Sequence, residues 1–125
     1  MRLLLDTNIL YWTFYEADRL PKRARQLMID ADEIVVSSAT IWEVAIKSRL
    51  NKINADTVLL VNKVRESGFT ELTVSYEHAM MIATLPLHHT DPFDRMLIAQ
   101  AMSEPLHLLT ADSRLAQYTG LVIQV

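Results

Sequence analysis

Four acidic residues, widely separated in the chain, occupy comparable local settings. Asp6 ends the apolar run Leu3-Leu4-Leu5. Glu43 lies one or two turns into the segment after Ile34 to Val36. Asp94 belongs to Asp91-Pro92-Phe93-Asp94-Arg95, and Asp112 follows Leu108-Leu109-Thr110. If these side chains converge, their charges must be relieved. Two unit charges ~5 Å apart repel by roughly 3 kcal/mol at an effective dielectric near 20. Helix N-termini offset part of that cost, and protonation or a bound cation offsets the rest. A hard divalent ion such as Mg²⁺ or Mn²⁺ suits an all-carboxylate site that retains waters. Such an ion can activate water and neutralise a phosphodiester.

Convergence depends on the elements that carry these residues. Arg2 to Leu5 reads as a buried strand, followed by a helix through about Tyr15. Leu20 to Ala31 reads as a helix and Ile34 to Val36 as a strand, with a helix from about Ala39 to Arg49. Asn54 or Asp56 caps the next helix, which ends at Gly68. Phe69 to Val74 is an expected strand, Ser75 or Tyr76 to Ala83 a short helix and Leu85 to Thr90 a loop. Asp91-Pro92 then starts a helix that runs to about Met102, with Pro92 in the first helical position. Leu106 to Leu109 and Leu121 to Ile123 read as strands around a short helix, Asp112 to Tyr118. Gly68 and Gly120 each sit between a helix and a strand, the place for a left-handed C-terminal cap.

Strands alternating with helices imply a three-layer α/β/α fold with a central, mainly parallel sheet of about five short strands. Ligands bind at the carboxyl ends of such strands. Each acid also has a capping role there: Asp6 for the first helix, Asp112 for the last, Asp91 and Asp94 for the helix at Pro92. Thr40-Ile41-Trp42-Glu43 fits a capping box.

The 125 residues read as one domain, 1–125, and half are hydrophobic, enough for a core. The absence of cysteine excludes disulfides and thiolate metal sites, and fits a reducing cytosol. Asp6 and Asn8 interrupt the N-terminal apolar run too early for a signal peptide. No segment approaches the ~18–20 apolar residues of a membrane span. The net charge of −3 excludes a generally basic nucleic-acid binder, so local cations or a metal must attract any RNA.

Four motifs in order extend this reading. Leu3-Leu4-Leu5-Asp6-Thr7-Asn8, the run Ser37 to Lys47, the run His88 to Ala101, and Leu108-Leu109-Thr110-Ala111-Asp112 resemble the PIN-domain ribonucleases, within them the VapC-type toxins of bacterial toxin–antitoxin pairs. The resemblance spans nearly the whole chain. It implies a Mg²⁺- or Mn²⁺-dependent endoribonuclease with metal-site acids at Asp6, Glu43, Asp94 and Asp112. Asp6 and Asp94 rank first as direct ligands; Glu43 and Asp112 act directly or through water. Asn8 and Thr110 support them by hydrogen bonds, and Asp91 is weighted toward capping. The resemblance also implies a homodimer and a cognate antitoxin that covers the acidic site.

His88 and His89 flank the site in sequence as candidates for RNA contact or proton transfer, against a role as solvated loop residues. Arg95 is a candidate for holding a phosphate or pairing with an acid. His78 and His107 read as structural, Trp42 as core, and Lys47, Arg49 and Lys52 as a small basic run, a solvated face with RNA backbone contact as its alternative. Tyr11, Trp12, Phe14 and Tyr15 cannot all point inward from one helix, so part of that row is expected to line an interface groove. Two other readings compete. A phospho-receiver domain has similar layering but needs a late strand-end lysine, and no lysine follows Lys63. A PIN-like fold with an inactive site would act by binding alone.

Overall fold

Leu3, Leu4 and Leu5 are all fully buried, although successive strand residues face opposite sides. Both faces of the strand must therefore be covered, which is the condition of a parallel sheet between helices. The structure, a computed structural model, describes residues 1–125 and shows that arrangement. The strands are β1 (Arg2–Leu5), β2 (Glu33–Ser37), β3 (Thr70–Leu72), β4 (His107–Thr110) and β5 (Val122–Gln124). They form one sheet in the order β3-β2-β1-β4-β5, and every pairing is parallel. Leu4 lies opposite Val35 on one side and Leu108 on the other.

Six helices cover the faces: α1 (Thr7–Tyr15), α2 (Lys22–Asp30), α3 (Ser38–Arg49), α4 (Thr57–Glu66), α5 (Tyr76–Met81) and α6 (Pro92–Ser103). Leu3, Leu5, Val36 and Leu109 pack with Ile9 and Leu10 of α1, Ala24 of α2, Val44 of α3, and Leu60 and Val64 of α4. The alternate residues Leu4, Val35 and Leu108 pack with Leu97, Ile98 and Ala101 of α6 and with Leu115. Each fully buried leucine contributes about 1.5–3 kcal/mol relative to exposure.

The strand order reverses direction at β1. The chain moves from β1 out to β2 and β3, then returns to place β4 on the other side of β1. This is the topological switch point, where open α/β sheets bind ligands. The order also excludes the phospho-receiver layout, in which the third strand rather than the fourth adjoins the first.

Several local expectations change. Gly68 ends α4 at φ +75°, as a left-handed cap, but Gly120 does not adopt a positive φ; Asn51, after α3, does at φ 57°. The cap of α3 is Ser37, whose hydroxyl accepts the Ala39 amide at 3.0 Å. Glu43 therefore sits in the second turn and is not half of a capping box with Thr40. Trp42 is not core: it is 63 % exposed and meets Phe93 edge-on, with ring centroids 5.0 Å apart. The buried stripe of α3 is Ala39, Thr40, Glu43 and Val44, which turns Trp42 outward. The α1 aromatics are each half-buried. Tyr11 packs on Tyr15, Phe14 on Phe69, and the Arg19 guanidinium lies 5.1 Å from the Trp12 ring centre.

Candidate metal centre

The four acids arrive from four elements. Asp6 follows β1 and caps α1, with its Oδ1 accepting the Ile9 amide at 2.8 Å. Its Oδ2 accepts the Thr110 hydroxyl from the end of β4. The Thr110 oxygen also accepts the Asp112 amide at 3.0 Å, so one hydroxyl links two of the acids. Glu43 comes from α3. Its Oε1 accepts the Thr7 hydroxyl at 2.6 Å, and its Oε2 pairs with Lys47 Nζ at 2.6 Å. Asp94 is in the first turn of α6, where the Asp91 cap accepts its amide at 2.9 Å. Its Oδ2 lies 2.8 Å from His89 Nε2. Asp112 receives both the Nε and Nη2 groups of Arg114, the latter at 2.7 Å.

All four carboxylates line one cleft of about 530 Å³ that contains no hydrophobic side chain. Asn8, Asp91 and His89 also face it. Ligating atoms of His89, Asp94 and Asp112 lie within 4.8 Å of one another. Thr110 is fully buried beneath, reaching the cleft through Asp6.

Burial is the main reason that Asp6 is pushed up to about 6; Asp94 and Glu43 add repulsion, while Thr110 and Ile9 partly counter it. Burial also raises Asp94, opposed by its hydrogen bond to His89 and reinforced by Asp91 and Glu43. Asp112 goes the other way because Arg114 stabilises its charge. A cation would relieve the two raised acids, and the donor set suits a hard one: carboxylate oxygens, with no thiolate in the chain.

Arg95 takes neither of the roles expected for it. It is buried, and its guanidinium donates to the carbonyls of Pro86 (2.8 Å), Ile82, Leu85 and His89, and to Tyr118 Oη. Tyr118 in turn accepts the His89 amide at 2.8 Å and donates to the His89 carbonyl. Arg95 and Tyr118 thus fix the loop that carries His89 to Asp94. His88 points elsewhere, exposed and edge-on to Tyr118. Removing Arg95 strands several buried carbonyls, so Arg95→Met is expected to cost about 2–4 kcal/mol. Urea unfolding measures this; unchanged stability would show that the loop is held by other contacts. His78 is structural, accepting the Ser75 amide and bonding Glu104.

Reading the sequence alone missed Thr7, Arg114 and Tyr118, and it named Lys47 only in a basic run, without its pairing to Glu43. For Lys47 a signal existed: Glu43 and Lys47 are spaced i, i+4, the favourable order for a helical ion pair. The contact of Arg114 with Asp112 arises in the short 3₁₀ turn Ser113–Gln117 and has no comparable pattern.

An acidic cleft at the switch point of a parallel sheet is suited to a divalent cation and a phosphate-bearing substrate. The chain belongs to the PIN-domain family: the PIN domain model matches residues 3–121. Ribonuclease VapC22 of Mycobacterium tuberculosis is 31 % identical over 122 residues, covering 93 % of this chain and 91 % of that relative. The fold is shared with a toxin–antitoxin complex from Klebsiella pneumoniae, at TM-score 0.67 and 22 % identity over 98 % of this chain and 96 % of that one. It is shared also with VapBC2 from Rickettsia felis bound to a promoter DNA fragment, at TM-score 0.70 and 16 % identity over 100 % and 98 %.

Proposed function

We propose that this chain is a divalent-metal-dependent endoribonuclease, the toxin of a toxin–antitoxin pair, acting as a single domain over residues 1–125. The observation that carries the reading is the meeting of Asp6, Glu43, Asp94 and Asp112 in one polar cleft. Asp6 and Asp94 would hold Mg²⁺ or Mn²⁺ directly, and Glu43 and Asp112 directly or through water. When bound, the ion supplies an activated water and neutralises charge on the phosphodiester. The chain's own groups prepare the site. Thr110 and the Ile9 amide orient Asp6, Thr7 orients Glu43, and His89 holds Asp94 and offers a proton-carrying nitrogen beside it. Asn8 lines the same cleft as a further hydrogen-bonding group. Purified protein is expected to cut RNA with Mg²⁺ or Mn²⁺ and not with EDTA; no cleavage under any divalent condition would sink the reading.

A cognate antitoxin and a second copy of the chain are the proposed protein partners, in the cytoplasm where the RNA is. No helix is long and apolar enough to cross a membrane. The half-buried row on α1 supports an antitoxin groove, because aromatic surface favours protein interfaces. The exposed Trp42, beside Phe93 and Met96 on another face, supports self-association. Tyr11→Ala with Trp12→Ala is expected to weaken antitoxin binding tenfold or more, each aromatic truncation costing on the order of 1 kcal/mol, while cleavage by the free toxin persists. Equal antitoxin affinity by calorimetry would count against the groove.

A further inference from the structure

Seven of the eight oxygens on the four acids already have a donor within the chain; Asp94 Oδ1 is the exception. Two of these donors are basic side chains, Lys47 on Glu43 and Arg114 on Asp112. Neither is buried: their side chains are 39 % and 60 % exposed. Lys47 belongs to the helix after β2 and Arg114 to the turn after β4, and those strands flank β1. The cations therefore stand on opposite sides of Asp6, at the two ends of the acidic row.

We propose that Lys47 and Arg114 exchange partners, neutralising the acids in the metal-free protein and contacting RNA phosphates on either side of the bond to be cut once the cation is bound. This assignment rests on the nuclease reading above. The charge balance supports it. Five acids line the cleft, Asp91 included, against the two cations, so the metal-free cleft repels a phosphate. One divalent ion cancels most of that surplus and competes for the oxygens that Lys47 and Arg114 occupy. Both side chains are long and partly exposed, so each can turn from a carboxylate to a phosphate without unpacking the core. Arg114 already uses a forked geometry on Asp112 that a phosphate also accepts.

Exchange makes two binding properties move in opposite directions, which a purely structural role would not do. Lys47→Gln and Arg114→Gln are each expected to tighten Mn²⁺ binding to the metal-free protein by about two- to fivefold, as expected for removal of a partly exposed competing ion pair. Calorimetry reads this without any turnover. The same variants are expected to raise KM for a single-stranded RNA at saturating Mn²⁺. They should also reduce the slope of log kcat/KM against log[KCl] by about 0.7 for each phosphate that the removed cation no longer neutralises. Lys47→Arg should restore the slope. Tighter Mn²⁺ binding with an unchanged slope would make the two residues mere counter-ions and overturn the assignment, as would weaker or unchanged Mn²⁺ affinity. If the wild type binds Mn²⁺ and cleaves RNA while the variants match it, only this assignment falls. If the wild type does neither, the nuclease reading falls with it.

Discussion

Asp94→Asn is expected to reduce metal-dependent RNA cleavage by about 10³-fold or more, with the fold intact. The magnitude follows from the several kcal/mol that a well-placed cation contributes to phosphodiester cleavage, at about 1.4 kcal/mol per tenfold in rate. Folding should survive because the change removes a charge and little else. The backbone amide of residue 94 still donates to the Asp91 cap, and an asparagine oxygen can still meet His89. Burial already disfavours the ionised form of Asp94, so losing its charge does not weaken the metal-free protein. Cleavage with Mg²⁺ or Mn²⁺, beside a thermal melt, checks both halves. A well-folded variant that cuts at the wild-type rate would remove Asp94 from the metal site.

Asp6→Asn should likewise abolish cleavage, and in EDTA it should stabilise the protein by an amount that grows with pH. In the folded chain Asp6 titrates at about 6 instead of 3.8. Below pH 3.8 both folded and unfolded chains keep its proton, and the group has no net effect. Between 3.8 and 6 the unfolded chain ionises first, so the native state loses stability as pH rises. Above 6 the loss levels off, on the order of 3 kcal/mol. Asparagine carries no such charge and remains a good helix cap. The difference between variant and wild type should thus be near zero at about pH 4 and largest at about pH 7–8. Saturating Mg²⁺ should shrink it by stabilising the wild type. Urea midpoints at the two pH values test this; a difference independent of pH would contradict the burial of Asp6 as its source.

Much of this arrangement was legible from residue types. Leu3-Leu4-Leu5 and Leu108-Leu109 are uninterrupted apolar runs, which only a strand covered on both faces can bury, and they became adjacent central strands. Asp91-Pro92 marked the start of α6 because its local chemistry needs no tertiary context. Three of the acids were recognisable because each follows a strand or opens a helix on one edge of the sheet; Glu43 lies in the second turn of α3, and the Ser37 to Lys47 motif pointed to it. What failed depended on contacts between distant segments. Arg95 is fixed by carbonyl oxygens, which carry no side-chain signature. The hydrophobicity of Trp42 suggests core, but the inward stripe of α3 at positions 39, 40, 43 and 44 leaves it outside. The residue type of Gly120 suggests a left-handed cap, but its backbone does not adopt a positive φ.

The hydroxyl of Thr110 meets a carboxylate 104 residues earlier in the chain, and β1 reaches its full pairing only when β4 lies beside it. During synthesis, the segment that ends before β4 therefore leaves the ribosome with Asp6, Glu43 and Asp94 present but Thr110 and Asp112 still missing. A nascent chain has no complete cutting centre until its last strands emerge. Premature termination upstream of Thr110 yields fragments without the assembled site.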